Sequence, residues 1–202
     1  GCTTLAPQVV ALSAGTVRGI YEGILAVGEA IQRNAEAIAL VEKMKRRIAA
    51  IGEEVRHKSA PTVVMLEWTD PIFAMGNWGP ELVEAANGKL SLGRAGEHSA
   101  AIPWRAVCSA DPDFLIVAPC GYNLEKSRRE AAILEALPGW FELRAVRDGK
   151  VVFADGNKFF NRSGTTIVET VEIIAEILHH SETRTRWDGK AWQYYVPSVA
   201  HA

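Results

Sequence analysis

Little in this sequence points to bond-making chemistry. Its 202 residues hold only three cysteines, Cys2, Cys108 and Cys120, at unrelated spacings. There is no CxxC and no Cys/His zinc pattern, so neither a disulfide framework nor a structural zinc site is expected. No Walker motif occurs, and no GxGxxG follows a strand, which disfavours nucleotide binding. The longest apolar run is too short to cross a bilayer. No basic segment followed by an apolar one stands near the start, so no secretory signal is visible. Neither sign of charge dominates. The formal net charge is -2, with no global pull toward nucleic acid or an anionic membrane.

What is present is ordinary globular composition, 48% hydrophobic and 23% charged, enough to build a core. "PQVVAL" (7–12) reads as a short buried strand, and Ser13 and Thr16 are candidate N-caps for a helix from Val17. Ile38, Val41, Met44, Ile48, Ile51 and Val55 then step by three or four. That spacing predicts a long helix over 34–58, with Lys43, Lys45, Arg46 and Arg47 mostly on its wet side. Glutamates share that helix, so the basic cluster does not read as a nucleic-acid patch. "TVVMLEW" (62–68), "FLIVAPC" (114–120) and "DGKVVFAD" (148–155) read as strands. Helices are expected at "ELVEAANG", closed by Gly88, and over 103–113, 123–137 and 165–179. The tail from 181 has no clear period.

Strands alternating with helices imply an α/β fold, a Rossmann-like parallel sheet with helices on both faces. In such sheets ligands sit outside the carboxyl ends of the strands. Glu67, Trp68, Asn77 and Trp78 follow the first strand, Cys120 to Tyr122 the second, and 155–162 the third. With Phe73, Tyr122, Phe159 and Phe160, the tryptophans suggest a flat aromatic platform for a broad planar ligand. Glu67 and Asp70 lack a matching nucleophile. Cys120 occupies a position suited to a nucleophile, but no base is placed beside it by sequence. His98 is the one histidine in these loops and is a candidate ligand to the metal centre of a bound chelate.

Three stretches, "LEWTDPIFAMGNWGPELVEAANG", "PWRAVCSADPDFLIVAPCGY" and "LPGWFELRAVRDGKVVFADGNKFFNRSG", resemble in order and spacing the second lobe of the vitamin B12-binding proteins. These are substrate receptors of ABC importers, in a class that also binds haem and ferric siderophores, with two α/β lobes joined by a long helix. The resemblance implies a division into 1–33, a remnant of the first lobe; 34–60, the joining helix; 61–180, the ligand-binding lobe; and 181–202, a tail. It implies a receptor with no intrinsic cofactor, carrying cobalamin or a related tetrapyrrole as transported ligand. Haem or a siderophore is the alternative, and an α/β enzyme using Cys120 a more distant one. Carried over by position, the ligand-facing residues are Glu67, Trp68, Asn77, Trp78, Glu97, His98, Ser99, Asp155, Asn157, Phe159, Phe160, Asn161 and Arg162. An ABC permease is the implied partner, although Arg105 stands where the pattern has a permease-docking glutamate. A homodimer through the long helix is a further expectation, because Ile31, Ala35, Ile38 and Leu40 lack an evident cover. The resemblance implies a periplasmic or cell-surface location, with a cytoplasmic one left open.

Overall fold

The apolar run from Thr62 becomes the central strand because its residues have neighbours on every side. In the computed structural model, which describes residues 9–179 and 186–197, β1 (Thr62–Thr69) buries Val63, Val64, Met65 and Leu66 completely. It pairs in parallel with β5 (Phe114–Val117), which pairs in parallel with β6 (Val151–Ala154). These three strands are the parallel core that the sequence predicts.

The margins differ from that expectation. β2 (Ile72–Ala74) doubles back antiparallel on β1, and β4 (Ala100–Ala101) extends it antiparallel. β3 (Lys89–Leu90) lies parallel to the start of β1. At the other margin β7 (Trp192–Tyr194), inside the unassigned tail, pairs antiparallel with β6. The sheet is therefore mixed. β2 follows β1 through a tight turn and so must run against it, since a parallel return needs a crossover.

Each face is covered. On one lie α1 (Val17–Ala30), α2 (Asn34–Val55), α3 (Gly79–Ala85) and α8 (Ile167–His179), over Val63, Met65, Ile116 and Val152. On the other, α4 (Trp104–Ala110), α5 (Leu124–Arg129), α6 (Ala131–Glu135) and α7 (Arg144–Arg147) cover Val64, Leu66, Leu115 and Val117. The alternation along β1 thus splits one strand between two cores.

Several local readings hold and several shift. Thr16 caps α1 by accepting from the Gly19 amide at 3.0 Å. The expected helix over 123–137 is broken at Glu130 into α5 and α6, although Asn123 caps its start as its residue type suggests. Asn87, not Gly88, takes the left-handed turn after α3, at φ +55°, and its side-chain amide donates to the Val55 and Lys58 carbonyls, tying that turn to the end of α2. The segment expected as a buried strand is not one: Val9–Leu12 has no strand assignment, and Val9 and Leu12 are exposed. Its residues suit a strand, but no backbone among the described residues pairs with it. Pro7 and Gln8 lie outside the described residues.

Along α2, Val41, Met44 and Val55 are buried and Arg47 pairs with Glu169 and Glu172 of α8. Ile31, Ala35, Ile38 and Leu40 remain exposed, and the described residues of the tail do not cover them.

The tail is held at two points. The Glu176 carboxylate on α8 accepts from the backbone amides of Arg186, Trp187 and Asp188 and from Trp192 Nε1, at 2.9–3.2 Å. Past β7, Tyr195 stands edge-on to buried Trp140 with ring centroids 5.6 Å apart, and its hydroxyl donates to Glu135 at 2.7 Å. Burial, with the Glu135 carboxylate beside it, pushes the Tyr195 phenol from 10.0 up to about 12. Between those values the unfolded chain loses this proton while the fold keeps it, so stability falls as pH rises through that window. The expected loss is on the order of 2 kcal/mol. Denaturant titrations from pH 9 to 12 on wild type and Tyr195→Phe check it, since the variant should show a shallower alkaline decline.

Candidate functional site

The first loop begins with a defect in pairing. Leu66 faces Ala74 and Trp68 faces Phe73, so Glu67 is the extra residue of a β-bulge. The bulge turns its carboxylate to the Ser99 hydroxyl, which donates to it at 2.5 Å. Ser99 Oγ in turn accepts from the Gly76 amide at 2.9 Å and from Asn77 Nδ2 at 3.4 Å. Asn77 sits in the left-handed region, at φ +51°, a conformation Asn tolerates better than most residues. Its amide donates to the Glu97 carbonyl at 2.6 Å, and its carbonyl accepts from Gly96 at 2.9 Å. A Cβ on Gly76 would stand 2.4 Å from the Glu97 carbonyl oxygen, so only glycine permits this approach. The loops of Glu67–Trp78 and Glu97–Ser99, separated by 18 residues in sequence, are thereby one unit.

The second and third strand ends are joined in the same way. The Cys120 amide donates to the Glu67 carbonyl at 3.0 Å, and the Asn157 amide to the Tyr122 carbonyl at 2.9 Å. A Cβ on Gly156 would lie 2.1 Å from the Pro119 carbonyl oxygen, so this crossing also requires glycine. Asp155 accepts from the Lys158 amide at 2.7 Å and caps the turn over Gly156–Phe160. Asn161 Nδ2 donates to the Ala118 carbonyl, and Arg162 donates to the Asn157 carbonyl and side chain. Trp68 stands edge-on to Tyr122, with ring centroids 5.1 Å apart, and Lys126 Nζ lies 3.6 Å from the centre of the Tyr122 ring. The resulting edge runs from His98 through Trp68 and Tyr122 to Asn157 and Arg162.

The thirteen candidate residues do not share one environment. Glu97, His98, Asn157 and Arg162 are exposed, and Glu67, Trp68, Asn77, Ser99, Asp155 and Asn161 are half-buried in the network just described. Phe159 and Phe160 belong to the core, 4% and 0% exposed, with Phe159 edge-on to Trp187, so their rings do not extend the open platform. The pattern FF in a loop following a strand did not separate a ring that seals the core from one that meets a ligand. Trp78 is half-buried against the same core, and its Nε1 is out of water with no partner. Lys126 and Lys158 were missed; both are exposed cations beside the aromatic loops, a signal that was available in the sequence. The Cys120 thiol is exposed, while the Glu67 carboxylate is engaged by Ser99. Among the described residues no cluster of three His, Cys, Asp or Glu side chains could hold a metal ion, and no helix is long and apolar enough to cross a membrane.

A mixed α/β sheet whose loops collect at the carboxyl edge is the architecture of substrate-binding proteins solved before. The chain superposes on an ABC transporter substrate-binding protein of Listeria monocytogenes with a TM-score of 0.76, at 20% identity, covering 85% of this chain and 68% of that one. It superposes on a periplasmic heme-binding protein of Pseudomonas aeruginosa at 0.73, with 17% identity and 95% and 70% coverage. A periplasmic binding protein of Veillonella parvula gives 0.71, with 17% identity and 82% and 58% coverage. The chain thus spans roughly three-fifths to two-thirds of the length of such structures. Comparison with curated proteins returns no match. The family model described as "Periplasmic binding protein" matches residues 4–158, and the chain belongs to that family, one of binding proteins and not of enzymes.

Proposed function

We propose that this chain binds a bulky metal chelate at the carboxyl edge of its sheet and serves as a substrate receptor for an ABC importer. The observation that carries this reading is the fusion of three strand-end loops into one surface by the Glu67–Ser99–Gly76 and Tyr122–Asn157 contacts. That surface offers an aromatic pair, Trp68 and Tyr122, flanked by exposed polar groups. Flat rings in a fixed frame contribute contact area at low entropic cost, which suits a planar ligand. The resemblance of the ordered motifs favours a corrinoid such as cobalamin. The Pseudomonas neighbour, a heme-binding protein, favours haem as the second reading. Permease docking and an extracytoplasmic site of action follow from the same reading, with Arg105 exposed on α4 where the motif pattern has a glutamate.

Titration with hydroxocobalamin and with haemin, followed by heat and absorbance, tests this. Saturable one-to-one binding of either is the expected result, and it should be weakened by Trp68→Ala. Affinity should be micromolar or weaker, since a planar ligand held on one face forgoes the contacts of the other, at about 1.4 kcal/mol per tenfold. Absence of binding by both ligands would sink the reading. Sedimentation of the same preparations reads whether exposed Ile31, Ile38 and Leu40 join two copies.

A further inference from the structure

The aromatic pair at the carboxyl edge is held from both ends of one short helix. At the start of α5, Asn123 accepts from the Lys126 amide at 2.9 Å, and the same lysine brings its Nζ to 3.6 Å from the centre of the Tyr122 ring. At its end the helix tightens, with the Glu130 amide donating to the Ser127 carbonyl at 3.1 Å, and gives way to α6 at Glu130. There the Glu130 carboxylate accepts a hydrogen bond from the Thr69 hydroxyl, 61 residues earlier in the chain. Thr69 is 4% exposed and Glu130 half-buried. Neighbouring Arg129 is committed to Glu125, and among the described residues Glu130 has no ion pair. Thr69 directly follows Trp68 and ends β1. Beyond it the chain turns through Asp70 and Pro71 into β2, and the Trp68 indole Nε1 donates to the Asp70 carbonyl at 2.9 Å, so the ring leans on that turn. The backbone alone holds the turn weakly. β2 has three residues, and its ladder with β1 is already interrupted by the bulge at Glu67. The Thr69–Glu130 bond fastens the turn to the end of the helix whose start carries the Tyr122 ring.

We propose that Thr69 and Glu130 are positioning residues of the ligand edge: their hydrogen bond holds Trp68 edge-on to Tyr122 before any ligand arrives. The consequence for binding rests on the receptor reading above. Neither residue is among the candidates read from the sequence, and neither needs to touch the ligand. A ring fixed in the free protein gives up little freedom on binding, whereas the ordering of a ring on a loose turn subtracts from affinity. A hydrogen bond to a carboxylate is stronger than one between neutral groups, which suits it to hold a turn that the short ladder does not.

The test reads the pair first without ligand. The Trp68 ring current displaces the aromatic proton resonances of Tyr122, and Trp68→Ala gives their undisplaced positions. Thr69→Val, which keeps the shape and removes the hydroxyl, and Glu130→Ala are expected to move these resonances toward those of Trp68→Ala. Thr69→Ser and Glu130→Gln, which keep the donor and an acceptor, should stay at the wild-type positions. Thr62→Val is the control for stability alone. It deletes a hydroxyl bonded to Asp113 at 2.8 Å, at the opposite end of the same strand, and should lower the melting temperature with the Tyr122 resonances unmoved. In titrations with haemin and hydroxocobalamin well below the transition, Thr69→Val and Glu130→Ala should bind about three- to tenfold more weakly than wild type, the share of one well-placed aromatic contact. Thr69→Ser and Glu130→Gln should bind as wild type does. Resonances that stay at wild-type positions in both Thr69→Val and Glu130→Ala overturn the proposal, as does unchanged affinity of these two variants for a ligand that wild type binds. If wild type binds neither ligand, the receptor reading fails, and the resonances alone decide whether the bond sets the pair.

Discussion

Trp140→Ala is expected to lower stability by about 3–5 kcal/mol, the range for truncating a buried aromatic residue. The ring is 1% exposed and sits between Trp104, with centroids 6.1 Å apart, and Tyr195, at 5.6 Å. Its removal opens a void beneath α4 and the 3-10 turn Trp140–Glu142, and it takes away the wall against which Tyr195 rests. For a chain of this size, that range corresponds to a fall in melting temperature of about 6–20 °C. The carboxyl-edge loops lie elsewhere, so ligand affinity measured well below the transition should be unchanged. A melting temperature within 2 °C or so of wild type would contradict the packing described here.

Glu176→Ala has the second largest expected effect, about 2–3 kcal/mol, in the range of hydrogen bonds to a charged group. One carboxylate gathers three consecutive backbone amides, Arg186 to Asp188, and the indole of Trp192. Those donors lose their acceptor together, and β7 loses the anchor that brings it beside β6. Glu176→Gln keeps one acceptor oxygen and should recover part of the loss. Amide exchange at Arg186–Asp188 and at β7 reads the effect directly: both regions should exchange faster in the alanine variant, while β1 and β5 change only in proportion to global stability. Unchanged exchange at these amides would show that β7 is held by sheet pairing and Trp192 burial alone.

Both effects fall on residues whose neighbours are remote in sequence. Trp140 was legible as a packing residue from its apolar setting in "LPGWFEL", but not its edge-on contact with Tyr195, 55 positions later. Glu176 had no signal at all, because a glutamate on an amphipathic helix ordinarily faces water. The candidate site divides along the same line. That Asn77, Asn157 and Arg162 follow strands was readable from runs of β-branched residues broken by Gly, Asn and Asp, whereas Glu67 and Trp68, expected past the strand end, lie inside β1 at its bulge. That Phe159 and Phe160 turn inward was not, since a loop has no periodicity from which to infer a side.

The sequence by itself determined the α/β class, the three parallel strands, the long helix, read over 34–58 and ending at Val55, and the edge at which the loops collect. Each of these rests on local pattern: runs of buried residues, a step of three or four, a capping side chain, a turn residue at a strand end. Only the tertiary structure decided which strands close the margins of the sheet. A three-residue strand such as β7 carries too little pattern to be recognised, and pairs because Glu176 and Trp140 hold its two ends against β6. Conversely Val9–Leu12 has the residues of a strand and remains outside the sheet, because a strand needs a partner's backbone and none among the described residues pairs with it. Tertiary structure also brought Ser99 to Glu67, and Asn157 to Tyr122, through glycines at 76 and 156 where any side chain would collide with a neighbouring carbonyl. Local preference sets what each segment is able to form; long-range backbone contacts select which of those forms has a partner.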